Sequence, residues 1–369
     1  MSLFHKIKSL APLLAILVLM TSAACSKTPS DTSKLSSTTG EPTKTVTTIT
    51  DLAGRSVALN MPVARVVALA GPSYEKVFLL GQQDRLVGAH YSMVTRSWVV
   101  KTNPNIASVV GIQNPSDPNV EDLLAMGVDC LFFWDYDMPL ANLTGAGIPV
   151  VVVQQATGNP TTLADFIAYQ KREVQAFADA LGPEAQAKAR DWYSYFDERV
   201  QYVTERTAGI AEADRKTALY FSRADTGLLF SLHSYPSFWL EMAGGKNLAE
   251  ETGVEMNATV TMEQIMVWDP DFIFTGRMTS TDPILNNEKW ASLSAVINGH
   301  VYICPEGVMY WDYSSEGILL MQFLAQKMYP ELFSDLDMVA ETQRYYKRFY
   351  GFDLTADDAQ RLLSHLAPA

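Results

Sequence analysis

Apolar and polar positions follow one another in the same order in two distant stretches of this chain, residues 119–133 and 261–275. Each begins with a polar residue suited to cap a helix, followed by a carboxylate, Glu121 or Glu263. Apolar residues at helical spacing come next, then a turn at Asp129 or Asp271, then an apolar strand. A helix-then-strand unit that occurs twice predicts two similar α/β lobes. Two lobes make a cleft, and clefts hold ligands.

The rest of the pattern fits that plan. Residues 46–59 predict a hairpin with its turn at 51–54. Strands are predicted at 65–69, 85–89, 109–110, 130–134 and 148–153. Between them lie a helix at 74–80, with Ser73 as its cap and Gly81 as its stop, and another at 121–126. Such alternation implies a mostly parallel sheet. From 163 to 210 the strand signal ceases: 163–181 reads as helix, Gly182-Pro183 as a break, and 184–210 as one long helix. Strands return at 217–221, 228–231 and 300–304, with helices at 236–242, 314–329, 338–349 and 355–366.

Length and charge bound the function. A chain of 369 residues buries more than one core. Its net charge of -13 argues against nucleic acid as a partner, because a phosphate binder needs a basic surface. A small anion is still compatible, since a few local arginines suffice to hold one.

The N-terminus reads as an export signal: His5, Lys6 and Lys8, an apolar run over 10–20, then Ser22-Ala23-Ala24 before Cys25. Small residues followed directly by Cys resemble a bacterial lipobox, in which that thiol is acylated. Ordinary signal-peptide cleavage, with Cys25 incidental, is the alternative. Residues 26–48 are rich in Ser, Thr, Lys and Pro, as a flexible tether is. The protein is therefore expected outside the cytoplasm, in the periplasm or at the cell surface, lipid-anchored to a membrane. Cys130 and Cys304 sit in apolar runs and read as buried free thiols.

Several segments carry a resemblance: Thr50-Asp-Leu-Ala-Gly-Arg55, Arg65-Val-Val, Leu80-Gly81 with Leu86-Val-Gly88, Asn119-Val-Glu-Asp-Leu123, Thr261-Met-Glu263, Trp268-Asp-Pro-Asp271, Trp290 with Val301-Tyr302, and Phe349-Tyr-Gly-Phe352. In this order and spacing, from about Val46 onward, the chain resembles a class III substrate-binding protein of an ABC importer, of the iron-siderophore, haem and cobalamin type. The resemblance implies α/β architecture: two Rossmann-like lobes, each a mostly parallel sheet flanked by helices, joined by one long interdomain helix. It divides the chain into a signal (1–25), a linker (26–45), an N-terminal lobe (46–182), a connecting helix (183–213) and a C-terminal lobe (214–369). It also implies that Glu121 and Glu263 dock onto arginines of the importer permease, as a monomer. From the residues alone, both glutamates could simply complement their helix N-termini.

Ligands of open α/β sheets bind beyond the carboxyl ends of strands. That rule selects Ser73, Tyr91, Arg96, Trp98, Trp134 and Tyr136 in the first lobe. In the second it selects Arg223, His233, Tyr235, Arg277, Tyr310, Trp311 and Tyr313. Aromatic faces suit flat or greasy chelates, and Arg suits carboxylates or net negative charge. The histidines beyond His5 are His90, His233, His300 and His365, and none has metal-ligand spacing. His90 and His233 could meet across a cleft, but a pre-formed metal chelate, iron foremost, is preferred to a bare ion. The expectation is thus capture of a ferric siderophore or haem, with no resident cofactor. No catalytic motif stands out. The alternatives are an extracytoplasmic enzyme or a sensor lipoprotein using the same cleft, or a binder of cobalamin, a nickel chelate or molybdate.

Overall fold

The computed structural model describes residues 44–154 and 160–369. The signal, Cys25, residues 26–43 of the tether and Gln155 lie outside the described residues. Lys44–Ala369 is one compact unit containing two mostly parallel sheets, one per lobe.

A hairpin of β1 (Thr45–Thr50) and β2 (Ser56–Met61) opens the fold. Its turn explains the Thr50–Arg55 motif. The Asp51 carboxylate accepts from the backbone of Ala53, Arg55 and Val152 and from the Arg55 guanidinium. Arg55 in turn donates to the Val150 carbonyl at 2.9 Å. The turn thereby covers the edge of the first sheet, whose backbone would otherwise be open to pairing.

That sheet holds β3 (Val66–Ala68), β4 (Leu86–His90), β5 (Val110–Ile112), β6 (Cys130–Trp134) and β7 (Val150–Gln154), ordered β5-β4-β3-β6-β7 and parallel throughout. The second holds β8 (Thr217–Arg223), β9 (Leu228–Leu229), β10 (Lys246–Asn247), β11 (Phe272–Thr275) and β12 (Val301–Ile303). Its parallel order is β10-β8-β11-β12, with β9 antiparallel on β8. The repeated aspartates have matching tasks. Asp129 accepts from the N–H groups of Ala64 and Arg65 at 3.0 Å, just ahead of β3. Asp271 accepts from the Thr217 N–H at 2.9 Å, at the start of β8. Each thus pins the beginning of an inner strand of its own sheet.

The expected long helix joins the lobes, and a second helix packs along it. The helix Pro183–Thr207 is 25 residues long, about 37 Å at the α-helical rise. The helix Leu163–Leu181 packs against it in the opposite direction: Lys171 meets Asp197 at 2.5 Å, Tyr193 donates to Gln175 at 3.0 Å, and Gln186 donates to Asp179 at 3.0 Å. Gly182 makes the reversal at φ +96°, a value that suits glycine. At one end Arg85 of the first lobe donates to the Leu181 carbonyl at 2.8 Å. At the other, Phe166 packs on Phe238 and Trp239 of the second lobe at ring distances of 4.8 and 4.9 Å. Both helices therefore reach from lobe to lobe as a hairpin.

The lobes also touch directly. Lys101 pairs with Asp358 at 2.7 Å, and Trp98 donates its indole N–H to the Leu366 carbonyl at 3.0 Å. Beneath the cleft, Glu75 accepts from the Ser315 N–H at 3.2 Å and the Tyr350 hydroxyl at 2.9 Å. Lys76 lies 3.3 Å from Glu75 and 3.4 Å from Glu173, and all three are buried. Cys130 and Cys304 are both free and buried.

Candidate functional site

The chain leaves β3 toward β4 on one side and returns to β6 on the other; β8 and β11 bear the same relation in the second lobe. Crevices at the carboxyl ends of such strand pairs are where open α/β sheets bind ligands. The segment after β3 turns at Gly71, with φ +36°. A Cβ there would lie 2.7 Å from Gln154 Oε1 and 2.8 Å from the Tyr313 hydroxyl. Glycine thus lets Tyr313 of the second lobe rest on the backbone of the first. Gln154, the last residue of β7, donates to the Tyr313 hydroxyl. Burial pushes that hydroxyl up to about 12, against the pull of the Gln154 hydrogen bond.

Arg277 follows β11, anchored by its N–H on the Ser222 carbonyl at 2.7 Å. Its guanidinium donates to the buried Asp312 at 2.5 Å and lies 3.9 Å from the Tyr310 ring centre. Gly276 leaves room for Asp312, whose Oδ2 would be 2.5 Å from any Cβ. Arg96 approaches from the first lobe, pairs with Glu306 and stacks on the same Tyr310 ring at 4.3 Å. Two guanidinium groups from opposite lobes therefore converge on one tyrosine, each held by a carboxylate. Among the described residues, the buried Nε of Arg96 has no hydrogen-bond partner.

Beside them lies a cavity of about 320 Å³ lined by residues of both lobes, including Gln154, Phe230, His233, Tyr235, Met256, Asn257, Arg277, Asp312 and Tyr313. His233 and Asn257 are non-glycine residues at φ 60° and 63°, a left-handed backbone uncommon outside glycine. His233 Nδ1 is buried with no partner among the described residues. On the first-lobe side, Trp134 and Tyr136 stack at 5.4 Å and 12°, with Tyr136 exposed. Tyr136 is close enough to Tyr313 to add to the upward push that burial gives it.

Of the residues selected from the sequence, His233, Tyr235, Arg277 and Tyr313 line the cavity, and Arg96 and Tyr310 stand beside it. Ser73 is not a cap: it is the first residue of the helix Ser73–Leu79, and its hydroxyl donates to the Ala70 carbonyl. Tyr91 is exposed and stacks on His90. Like Ser73 and Tyr91, three further residues do not line the cavity. Trp98 is 2% exposed, packed into the lobe junction. Trp311 is buried in the core. Arg223 turns to Asp225 at 2.8 Å on the surface. His90 caps the helix Tyr91–Val94 through Nδ1, burial holds its pKa below the usual value, and it is not among the cavity-lining residues that include His233. No group of three metal-ligating side chains occurs among the described residues. Phe230, Met256 and Asn257 escaped sequence reasoning; only Asn257, a residue type that tolerates positive φ, carried a signal, and it pointed to a turn rather than a cleft.

Glu121 and Glu263 are both exposed, in the first turns of the helices Val120–Ala125 and Met262–Trp268. Asn119 caps the first helix, and Thr261 with Gln264 forms a capping box on the second. Its own backbone N–H, the Thr261 hydroxyl and Lys289 hold the Glu263 carboxyl below the usual range.

The model of the periplasmic binding protein family matches residues 66–308, more than half of the chain. The molybdate-binding protein MolA of Haemophilus influenzae is 24% identical over 331 residues, 85% of this chain and 91% of that protein. Its molybdate-bound crystal structure superposes with a TM-score of 0.75 at 23% identity, covering 84% of this chain and 99% of that one. A vitamin B12-binding protein of Vibrio cholerae is 26% identical over 257 residues, 67% of this chain and 82% of its own length. A periplasmic solute binding protein from Veillonella parvula superposes with a TM-score of 0.73 at 24% identity, covering 87% of this chain and 97% of the other.

Proposed function

The chain belongs to the periplasmic binding protein family, whose members are solute binders rather than enzymes, and from that premise we propose that it captures an anionic metal chelate in the interlobe cavity and delivers it to an ABC importer permease. Iron complexes, a ferric siderophore or haem, are the first candidates. Cys25 would carry the lipid that holds the protein at the membrane, and Glu121 and Glu263 would dock it on the permease.

One observation carries this reading: Arg96 and Arg277, from different lobes, meet on Tyr310 beside an aromatic-walled cavity. Arginine retains unused N–H donors for a ligand carboxylate or catecholate even when one edge is paired. Tyr235, Phe230 and the Trp134–Tyr136 stack offer flat apolar surface for the chelate's body. The cavity volume is at the low end for small-molecule sites. It therefore suits the charged core of a chelate, with the periphery in the open mouth.

That small volume, with the coverage of the molybdate binder, favours a second reading, a bare oxyanion. Asp312 and Glu306 already offset the two guanidinium charges, so either anion would be held by directed hydrogen bonds, and the aromatic walls favour the larger ligand.

The experiment is thermal shift and tryptophan fluorescence against ferric siderophores, haem, cobalamin, nickel chelates and molybdate. A true ligand at ten times its dissociation constant raises stability by roughly 1.4 kcal/mol. Arg277→Lys keeps the charge but loses the planar fork, and should abolish that shift. A shift with molybdate alone would select the second reading, and no shift with any of them would remove the capture model.

A further inference from the structure

We propose that Leu124 and Met266 are contact residues for the importer, one apolar knob beside each docking glutamate. This rests on the docking reading of Glu121 and Glu263 and goes beyond it. From Asn119 to Gly127 and from Thr261 to Asp269, the run of exposed, half-buried and buried positions is the same at all nine residues. The side chains are mostly different, so the match is one of geometry. Leu123 and Ile265 point inward, 1% and 2% exposed, and fix each helix to its sheet. The next residues, Leu124 and Met266, are 52% and 51% exposed. Each stands three positions after its glutamate, and residues so spaced are neighbours on one helix face.

A single exposed leucine or methionine needs no explanation. A large apolar side chain at the same place beside the same carboxylate, once per lobe, is a different observation. Val267, 83% exposed, widens the patch on the second lobe. Neither glutamate has an ion-pair partner among the described residues within 4.0 Å, so both charges are available to an outside cation. An ion pair left in water contributes little and weakens further with salt. An apolar neighbour that excludes water as the surfaces meet makes the same pair stronger and adds contact of its own. The fitting partner surface is therefore two cationic side chains, each next to an apolar hollow, on a membrane protein with two receiving sites of one kind.

The test replaces the host's own copy with Leu124→Ser/Met266→Ser, with Glu121→Ala/Glu263→Ala, or with Leu285→Ser/Leu332→Ser, the last pair being exposed apolar residues elsewhere. Uptake of radiolabelled ferric hydroxamate, ferric catecholate, haem and molybdate is measured, with the thermal shift of each purified variant as the folding and binding control. The first pair should lower uptake about tenfold or more with its thermal midpoint and ligand shift intact, and the last pair should be silent. Unchanged uptake in the first pair with loss in the second would leave electrostatic docking standing and overturn this inference alone. Unchanged uptake in both would overturn the docking reading together with it.

Discussion

Glu316 is buried between the lobes, where it accepts from the Met309 N–H at 3.0 Å and the Tyr346 hydroxyl at 2.5 Å. Burial first, and then the nearby Glu75, push its pKa up to about 8 from a usual 4.5. An acid raised in this way holds its proton more tightly when folded. Its contribution to stability is full below about pH 4.5 and is lost as pH rises toward 8. Thermal unfolding should show stability falling across that window by an amount on the order of 5 kcal/mol. Glu316→Gln should flatten that slope; an unchanged slope would place the titration on another group. At Gly71, alanine would bring a Cβ against Gln154 and Tyr313 in a backbone conformation that favours glycine. Gly71→Ala should weaken ligand binding by roughly tenfold or more, since local strain and displacement cost about 1–3 kcal/mol; calorimetric titration measures it. Arg277 and Arg223 read alike in the sequence, each a strand-end arginine equally suited to a ligand or a salt bridge, and only the structure sets one beside the cavity and turns the other to Asp225. Trp98 and Trp134 were not separable, since both are tryptophans in comparable segments, and only packing shows that one faces the lobe junction. Glu316 was illegible too. Ser-Ser-Glu ahead of a helix reads as a solvated first turn until the other lobe covers it.

The element that sets the cleft's geometry is the helical hairpin 163–207. Its two arms were visible in the sequence, through apolar periodicity and the Gly182-Pro183 break. Their antiparallel packing was not, because period alone does not say what a helix face meets. Phe166, near the start of the first arm, stacks on Phe238 and stands edge-on to Trp239 and Tyr235. Phe166→Ala should cost about 3–5 kcal/mol in urea unfolding. Because Tyr235 lines the cavity, the ligand affinity of that variant should fall too; unaltered affinity would show the hairpin to be a scaffold with no hold on the site. The short helices Tyr91–Val94 and Ser97–Thr102 had no legible signal, since four and six residues are too few to display a period.

At the scale of the molecule, two helices and several polar contacts join the lobes, among them Arg96–Glu306 and Lys101–Asp358. Relative motion is therefore limited. Small-angle scattering with and without ligand should show the radius of gyration changing by less than about 1 Å, as for partners that move little on binding; a change of several ångströms would mean that the hairpin bends. The two-lobed plan was legible from the repeat, because the same nine-residue geometry had to be written twice. The direct seam between the lobes was not, because its residues are far apart in sequence and each looks ordinary alone.

That separation has a consequence for how the protein becomes active. Arg96 and Glu306 are 210 positions apart, and Glu75 and Tyr350 are 275 apart. Contacts of such long range close late, after local structure has formed. Until the distal half arrives, the Glu75–Lys76–Glu173 trio has incomplete cover, and no pocket exists to admit a guest. Competence is then the final event of maturation, and the stoichiometry of a ligand titration counts the molecules in a preparation that have completed it.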